Sequence, residues 1–144
     1  MNIFTVSVDY SMSYRQAVEA CAFSEVVGDG PGINHPDRCR LPEKGKVELK
    51  MGILETKKRM LLDEVKTRTY QKKVRFATIL ECLSFGAKHP EEYRSRPLLG
   101  LGDVCDAGEF LDGAMSLAGG ENRALFVGRC GSELPPARIL VVVE

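Results

Sequence analysis

The chain opens on a strict alternation. Phe4, Val6, Val8 and Tyr10 are separated by Thr5, Ser7 and Asp9, so an N-terminal strand with one apolar face is expected. A second alternation, Val47, Leu49, Met51 and Ile53 against Lys46, Glu48, Lys50 and Gly52, is the cleanest strand pattern in the chain and a natural partner for the first. Between them the period becomes helical. Ser13 and Gln16 have capping-box spacing, and Tyr14, Ala17, Val18, Cys21 and Ala22 line one face, which predicts a helix to about Val26. Gly28, Asp29, Gly30, Pro31 and Gly32 then break regular structure, and Pro36 and Pro42 extend a loop over residues 27 to 44. Loops longer than about 12 to 15 residues are uncommon in compact domains and are often functional or disordered.

Past the second strand, Leu61, Leu62 and Val65 give a helical pattern from Lys57 to about Tyr70. Thr78 and Glu81 form another capping box ahead of Ile79, Leu80, Cys82 and Leu83, with Gly86 and His89-Pro90 as stop signals. Glu91 to Arg96 suit one further turn, and Leu98 to Leu101 read as a buried strand closed by Gly102 and Asp103. Three strand candidates follow, Phe110 to Leu117, Arg123 to Cys130 and Ala137 to Val143, separated by turn residues as in an antiparallel meander. In the last of them Ile139, Leu140, Val141, Val142 and Val143 are consecutive apolar residues, so both faces need cover. The strand belongs at the centre of a sheet or in the interface of a homodimer. The pattern predicts one α+β domain over residues 1 to 144: a β-α-β opening, central helices, and a mostly antiparallel sheet completed by the three-strand meander.

The order of these pieces resembles a family of small uncharacterised bacterial hypothetical proteins. That family pattern runs MNxFxVxVDY, a KVELE-like strand, RPATLEELLAFGxKYPE, LGSV and RFLAVR. Its counterparts here are MNIFTVSVDY (1 to 10), KVELKMGIL (46 to 54), RFATILECLSFGAKHPEEYRSRP (75 to 97), LGLGDV (99 to 104) and RILVVVE (138 to 144). Phe76 stands where the family pattern has proline, and no Trp or Tyr follows Tyr93. The resemblance implies an order of elements and carries no site.

Composition narrows the classes of function. With 20 basic and 20 acidic residues the net charge is zero, which removes the global field of a nucleic-acid binder and leaves little repulsion against self-association. No apolar run approaches the length of a membrane span, and MNIFTVSVDY lacks a basic leader, so a cytoplasmic protein without a membrane partner is expected. Cys21, Cys39, Cys82, Cys105 and Cys130 are odd in number and widely spaced, which fits reduced thiols better than a disulfide framework or a zinc site.

Candidate chemistry is sparse. His35, Asp37 and Cys39 offer metal ligands in one loop, but a tetrahedral set lacks its fourth member unless Asp29 or Cys105 joins. Asp103, Asp106, Glu109 and Asp112 gather carboxylates at a spacing that matches no calcium loop. Gly100-Leu101-Gly102 and Gly28-Asp29-Gly30-Pro31-Gly32 lack the context of a phosphate-binding turn. On a helix Cys82 and His89 would lie about 10 Å apart, too far for proton transfer. No catalytic residue, cofactor or metal site is assigned, and the reading leans away from an enzyme.

The strongest remaining feature is basic. Lys57, Lys58, Arg59, Lys66, Arg68, Lys72, Lys73 and Arg75 are opposed locally only by Asp63 and Glu64, with Tyr70 as the lone aromatic. They form a candidate phosphate-backbone contact, disfavoured against a solvated helix face by the neutral overall charge. The expected role is therefore a non-enzymatic interaction or adaptor protein that self-associates through Ile139 to Val143 or meets another protein. Nucleic-acid association through residues 57 to 75 is the alternative, and a small-ligand or carbohydrate-binding module a further one.

Overall fold

The computed structural model describes residues 1–27, 45–102, 105–107, 110–118 and 123–144. In chain order they form β1 (Ile3–Asp9), α1 (Tyr14–Cys21), β2 (Glu25–Val27), β3 (Lys46–Glu55), β4 (Met60–Leu61), α2 (Leu62–Gln71), β5 (Val74–Phe76) and α3 (Ile79–Lys88). A 3-10 turn (Pro90–Tyr93) leads on to β6 (Leu98–Gly100), β7 (Cys105–Ala107), β8 (Phe110–Ala118), β9 (Ala124–Cys130), β10 (Glu133–Leu134) and β11 (Arg138–Val143). Among these residues no helix is long and apolar enough to cross a membrane.

The last strand sits in the middle of the molecule. Within a nine-stranded, mostly antiparallel sheet the order is β1-β3-β11-β6-β8-β9-β2, with β5 also on β11 and β7 on β8. β11 runs antiparallel to β3, and on its other edge it meets β6 in parallel at Ile139 and β5 antiparallel from Val141 to Val143. The second parallel pair is β2 with β9. The C-terminal meander expected from sequence therefore holds only for β8 and β9. β11 does not continue from β9 but crosses to β3, because four successive apolar residues can be covered on both faces only at a sheet centre.

Both faces are covered by the chain itself. Leu140 and Val142 join Val6, Val8 and Met51 beneath α1 and α3, while Ile139 and Val141 pack with Leu62 and Val65 of α2 and with Met60 and Leu134 of the β4–β10 pair. Ile139, Leu140, Val141 and Val142 are buried, and only Val143 is partly exposed. This corrects the expectation that the strand is a surface for a second copy: its greasy faces are the two cores of one α+β domain.

Local signals explain the helices. Ser13 caps α1 with Gln16 reciprocating, and Thr78 caps α3 with Glu81 reciprocating, as their spacing predicts. α1 stops at Cys21 rather than near Val26, since Ala22 turns left-handed (φ 52°) and residues 25–27 pair with β9. Lys57 to Arg59 lie in the link between β3 and β4, outside any helix, and α2 begins only at Leu62 because Met60 and Leu61 pair with β10. α3 runs through Gly86 to Lys88. There a Cβ would come within 3.0 Å of Leu117 and 3.5 Å of Tyr93, so the glycine permits close packing and does not end the helix.

Gly102 has a similar reason for being glycine. Its N–H donates to the Ala77 carbonyl at 2.9 Å, and Ala77 N–H donates to Leu140 at 3.1 Å, so β11, the α3 entry and the end of β6 are tied together. A Cβ on Gly102 would overlap the Ala77 carbonyl. Gly102→Ala is expected to lower stability by about 1 to 3 kcal/mol, the usual cost of overpacking. Urea unfolding measures it, and a variant as stable as the parent would show that the backbone yields there.

Candidate functional site

The eight cations from Lys57 to Arg75 do not form one surface. Lys57, Lys58 and Arg59 are exposed ahead of α2, where Arg59 Nε lies 3.8 Å from Glu133 Oε1. Lys66 is exposed and Arg68 half-buried on α2, and Lys72 and Lys73 are exposed at its C-terminal end. Arg75 leaves the group entirely. Its guanidinium turns inward and grips Glu81 in bidentate fashion, Nη1 to Oε1 at 2.8 Å and Nη2 to Oε2 at 2.7 Å. This corrects its assignment as a phosphate contact, because a cation so engaged is already neutralised.

Glu81 is fully buried and saturated. Oε1 also accepts the Thr78 N–H at 2.8 Å, and Oε2 accepts the Tyr10 hydroxyl at 2.7 Å, so four hydrogen bonds converge on one carboxylate. Burial alone would raise the carboxyl pKa. The guanidinium, the Thr78 N–H and the tyrosine hydroxyl outweigh it and hold Glu81 ionised, below the ordinary value. Burial and the adjacent carboxylate push the Tyr10 hydroxyl up, so it stays a donor. A carboxylate without spare acceptor capacity, beside a tyrosine that holds its proton, is a fastener between β1, β5 and α3.

The remaining sequence candidates separate. His35, Asp37, Cys39 and Asp29 lie outside the described residues, as do Asp103, Glu109 and the side chains of Asp106 and Asp112. Among the described residues no group of three His, Cys, Asp or Glu is placed to hold a metal ion. Cys21 and Cys82 are buried thiols, neither in a disulfide. Burial pushes Cys21 up to about 11, so it is a poor nucleophile, and it donates to the Leu83 carbonyl at 3.1 Å. The His89 ring packs against Phe4 and Phe85, with centroids 5.0 and 5.1 Å away, and its buried Nε2 has no hydrogen-bond partner among the described residues.

The feature that sequence reasoning passed over is the outer edge of β1. Tyr10 N–H donates to Gly45 at 2.9 Å, and the register sets Val8 opposite Val47, Val6 opposite Leu49 and Phe4 opposite Met51. Antiparallel ladders alternate, so the even residues direct their backbone groups to β3 and Ile3, Thr5, Ser7 and Asp9 direct theirs outward. Two contacts agree with this. The Asp9 carbonyl accepts from Met12 N–H, and the Thr5 carbonyl accepts from Lys88 Nζ at 2.7 Å. From Ile3 to Ser7 the edge carries no charge and no proline, and Met1 and Ile3 beside it are more than half exposed. The signal was present in sequence as six successive uncharged residues, Ile3 to Val8, in a strand whose one charge is Asp9 at its end.

Two shallow grooves, about 340 and 300 Å³, meet at Arg138. The first, walled by Met1, Asn2, Phe4, Ile53, Glu55 and Glu92, adjoins β1; the second is walled largely by Pro97, Leu99, Pro135, Pro136 and Ala137. Their charges are internally matched. Arg96 pairs with Glu55 at 2.6 Å, and Arg138 lies 3.6 Å from the Glu92 carboxylate and donates to the Glu92 carbonyl at 2.7 Å. Compared with protein-family models, curated proteins and solved structures, the chain matches none.

The Glu81 fastener has an asymmetric mutational signature. Glu81 is wholly enclosed while the Arg75 side chain is 36% exposed, so a stranded arginine can return to water and a stranded carboxylate cannot. Arg75→Ala is expected to cost about 3 to 5 kcal/mol and Glu81→Gln less, by thermal or urea unfolding. Because the folded-state pKa of Glu81 is depressed, its contribution is present above the ordinary value of 4.5 and is lost as pH falls below it. Parent stability should therefore drop more between neutral and acid pH than that of Glu81→Gln, and parallel curves would contradict the assignment.

Proposed function

We propose that this protein is a non-enzymatic interaction module whose contact is strand pairing through the outer edge of β1, with a second copy of the chain as occupant. The observation that carries the reading is the row of outward backbone groups at Ile3, Thr5 and Ser7, of which Lys88 occupies one carbonyl. An uncharged strand edge is a template for another strand, and proteins that avoid such pairing place charges or proline there. In antiparallel two-fold pairing, Ile3 of one copy meets Ser7 of the other and Thr5 meets Thr5, so each outward N–H finds a carbonyl and no like charges are opposed. Zero net charge adds little long-range repulsion. The Lys88 ammonium is the restraint: pairing must displace it from the Thr5 carbonyl. The chain works in the reducing cytoplasm, a reading supported by the buried Cys21 and Cys82 thiols.

Two substitutions move association in opposite directions. The Ser7 N–H faces outward, so Ser7→Pro removes a donor from the edge without breaking the β1–β3 ladder, and it should leave a monomer. Lys88→Met frees the Thr5 carbonyl and should strengthen the dimer. Light scattering of the parent should give a mass that rises with concentration toward twice the 15.9 kDa of one chain. A parent and a Lys88→Met variant that both stay at one chain mass would overturn the proposal.

A further inference from the structure

The C-terminal end of α2 has features that neither the fold nor the β1 edge uses. Leu62, Val65 and Thr69 face the core, which places Asp63, Lys66, Thr67 and Tyr70 on the outer side. Tyr70 is 86% exposed, well above any other exposed large apolar side chain described. A ring so exposed contributes little to packing, and leaving that much aromatic surface in water adds nothing to stability.

Cations surround it in the chain. Lys66 lies one turn before Tyr70, and Lys72 and Lys73 follow after Gln71. Among the described residues none of the three is within ion-pair distance of a carboxylate, whereas Arg59 and Arg75 are both paired. The nearest acidic residues on the helix, Asp63 and Glu64, occupy its first turn, where they suit the positive end of the dipole. Glu144 touches the turn through its backbone N–H, 3.2 Å from the Lys73 carbonyl.

Lys73 supplies the second observation. It adopts a left-handed conformation, φ 56°, with its N–H on the Tyr70 carbonyl at 3.1 Å. Glycine fits that conformation without the roughly 1 to 2 kcal/mol that a side chain adds. The turn thus carries a strained lysine where structure alone would favour glycine, and such strain at an exposed charged position points to use.

We propose that the Tyr70 end of α2 binds single-stranded nucleic acid, the Tyr70 ring stacking on one base and Lys66, Lys72 and Lys73 meeting the neighbouring phosphates. A single strand is chosen over a duplex because a lone exposed ring needs an open base face, which pairing and stacking conceal. Neutral net charge supplies no long-range attraction, but phosphate contacts are local, and from Lys57 to Arg75 only Asp63 and Glu64 stand against eight basic residues.

Fluorescence anisotropy with labelled mixed-sequence single-stranded DNA tests this on the full chain, with the matched duplex and anionic phospholipid vesicles as competitors. Binding should weaken with salt at a logarithmic slope of about −2, from three contacts at about 0.7 each. Tyr70→Ala should weaken binding about tenfold or more. Lys73→Gly should weaken binding and reduce the slope by about 0.7 while raising the melting temperature, so lost affinity cannot be put down to unfolding. Absence of binding at low salt, equal affinity of parent and Tyr70→Ala, or more effective competition by duplex or vesicles than by unlabelled single strand would each overturn the proposal.

Discussion

One constraint orders this molecule: Ile139, Leu140, Val141 and Val142 must be dry on both faces. A strand of that kind needs a layer above and a layer below, and no single helix can supply both. α1 and α3 form one layer over Leu140 and Val142, and α2 with the β4–β10 pair forms the other over Ile139 and Val141. The strand that ends the chain therefore takes the middle of the sheet, with β3 on one edge and β5 and β6 on the other. Strands with one polar face are displaced outward, which leaves β1 at one margin and the short β2 at the other.

A polar fastener complements the apolar centre. The α3 cap requires a glutamate at its third position, and Glu81 meets that need with one oxygen while Arg75 and Tyr10 use the rest of the carboxylate. Helix start, central-sheet neighbour and the end of the first strand are thus fixed by one buried charge. The neighbouring Phe4, Phe85 and His89 rings and the Lys88–Thr5 contact hold α3 against β1, so the helix that covers the core also reaches the sheet margin.

Local chemistry was legible in sequence, and pairings over distance were not. The boxes at Ser13–Gln16 and Thr78–Glu81 and the alternation of β1 and β3 depend on residues a few positions apart, and each forms as spaced. Gly86 was misread because its reason lies in Leu117 and Tyr93, which no local pattern reveals. The meander was misread because strands adjacent in sequence usually pair, and here the apolar demand of β11 overrides that tendency. Arg75 looked like one more surface cation. Its position before a capping box whose glutamate has a spare oxygen was the available hint, but only the fold brings Tyr10 to the same carboxylate. Apolar content alone points to β11 for self-association, but burying β11 at the sheet centre is what leaves β1, with its uncharged stretch from Ile3 to Ser7, at the margin.

The direct test of β1 as the contact is amide hydrogen exchange, resolved by residue and repeated across protein concentrations. In the dilute chain the Phe4, Val6 and Val8 amides should be protected by the β3 ladder while those of Ile3, Thr5 and Ser7 exchange readily. As concentration rises, protection should appear at Ile3, Thr5 and Ser7 and nowhere else in the sheet. Exchange at those three amides that stays fast and independent of concentration would contradict strand pairing at this edge.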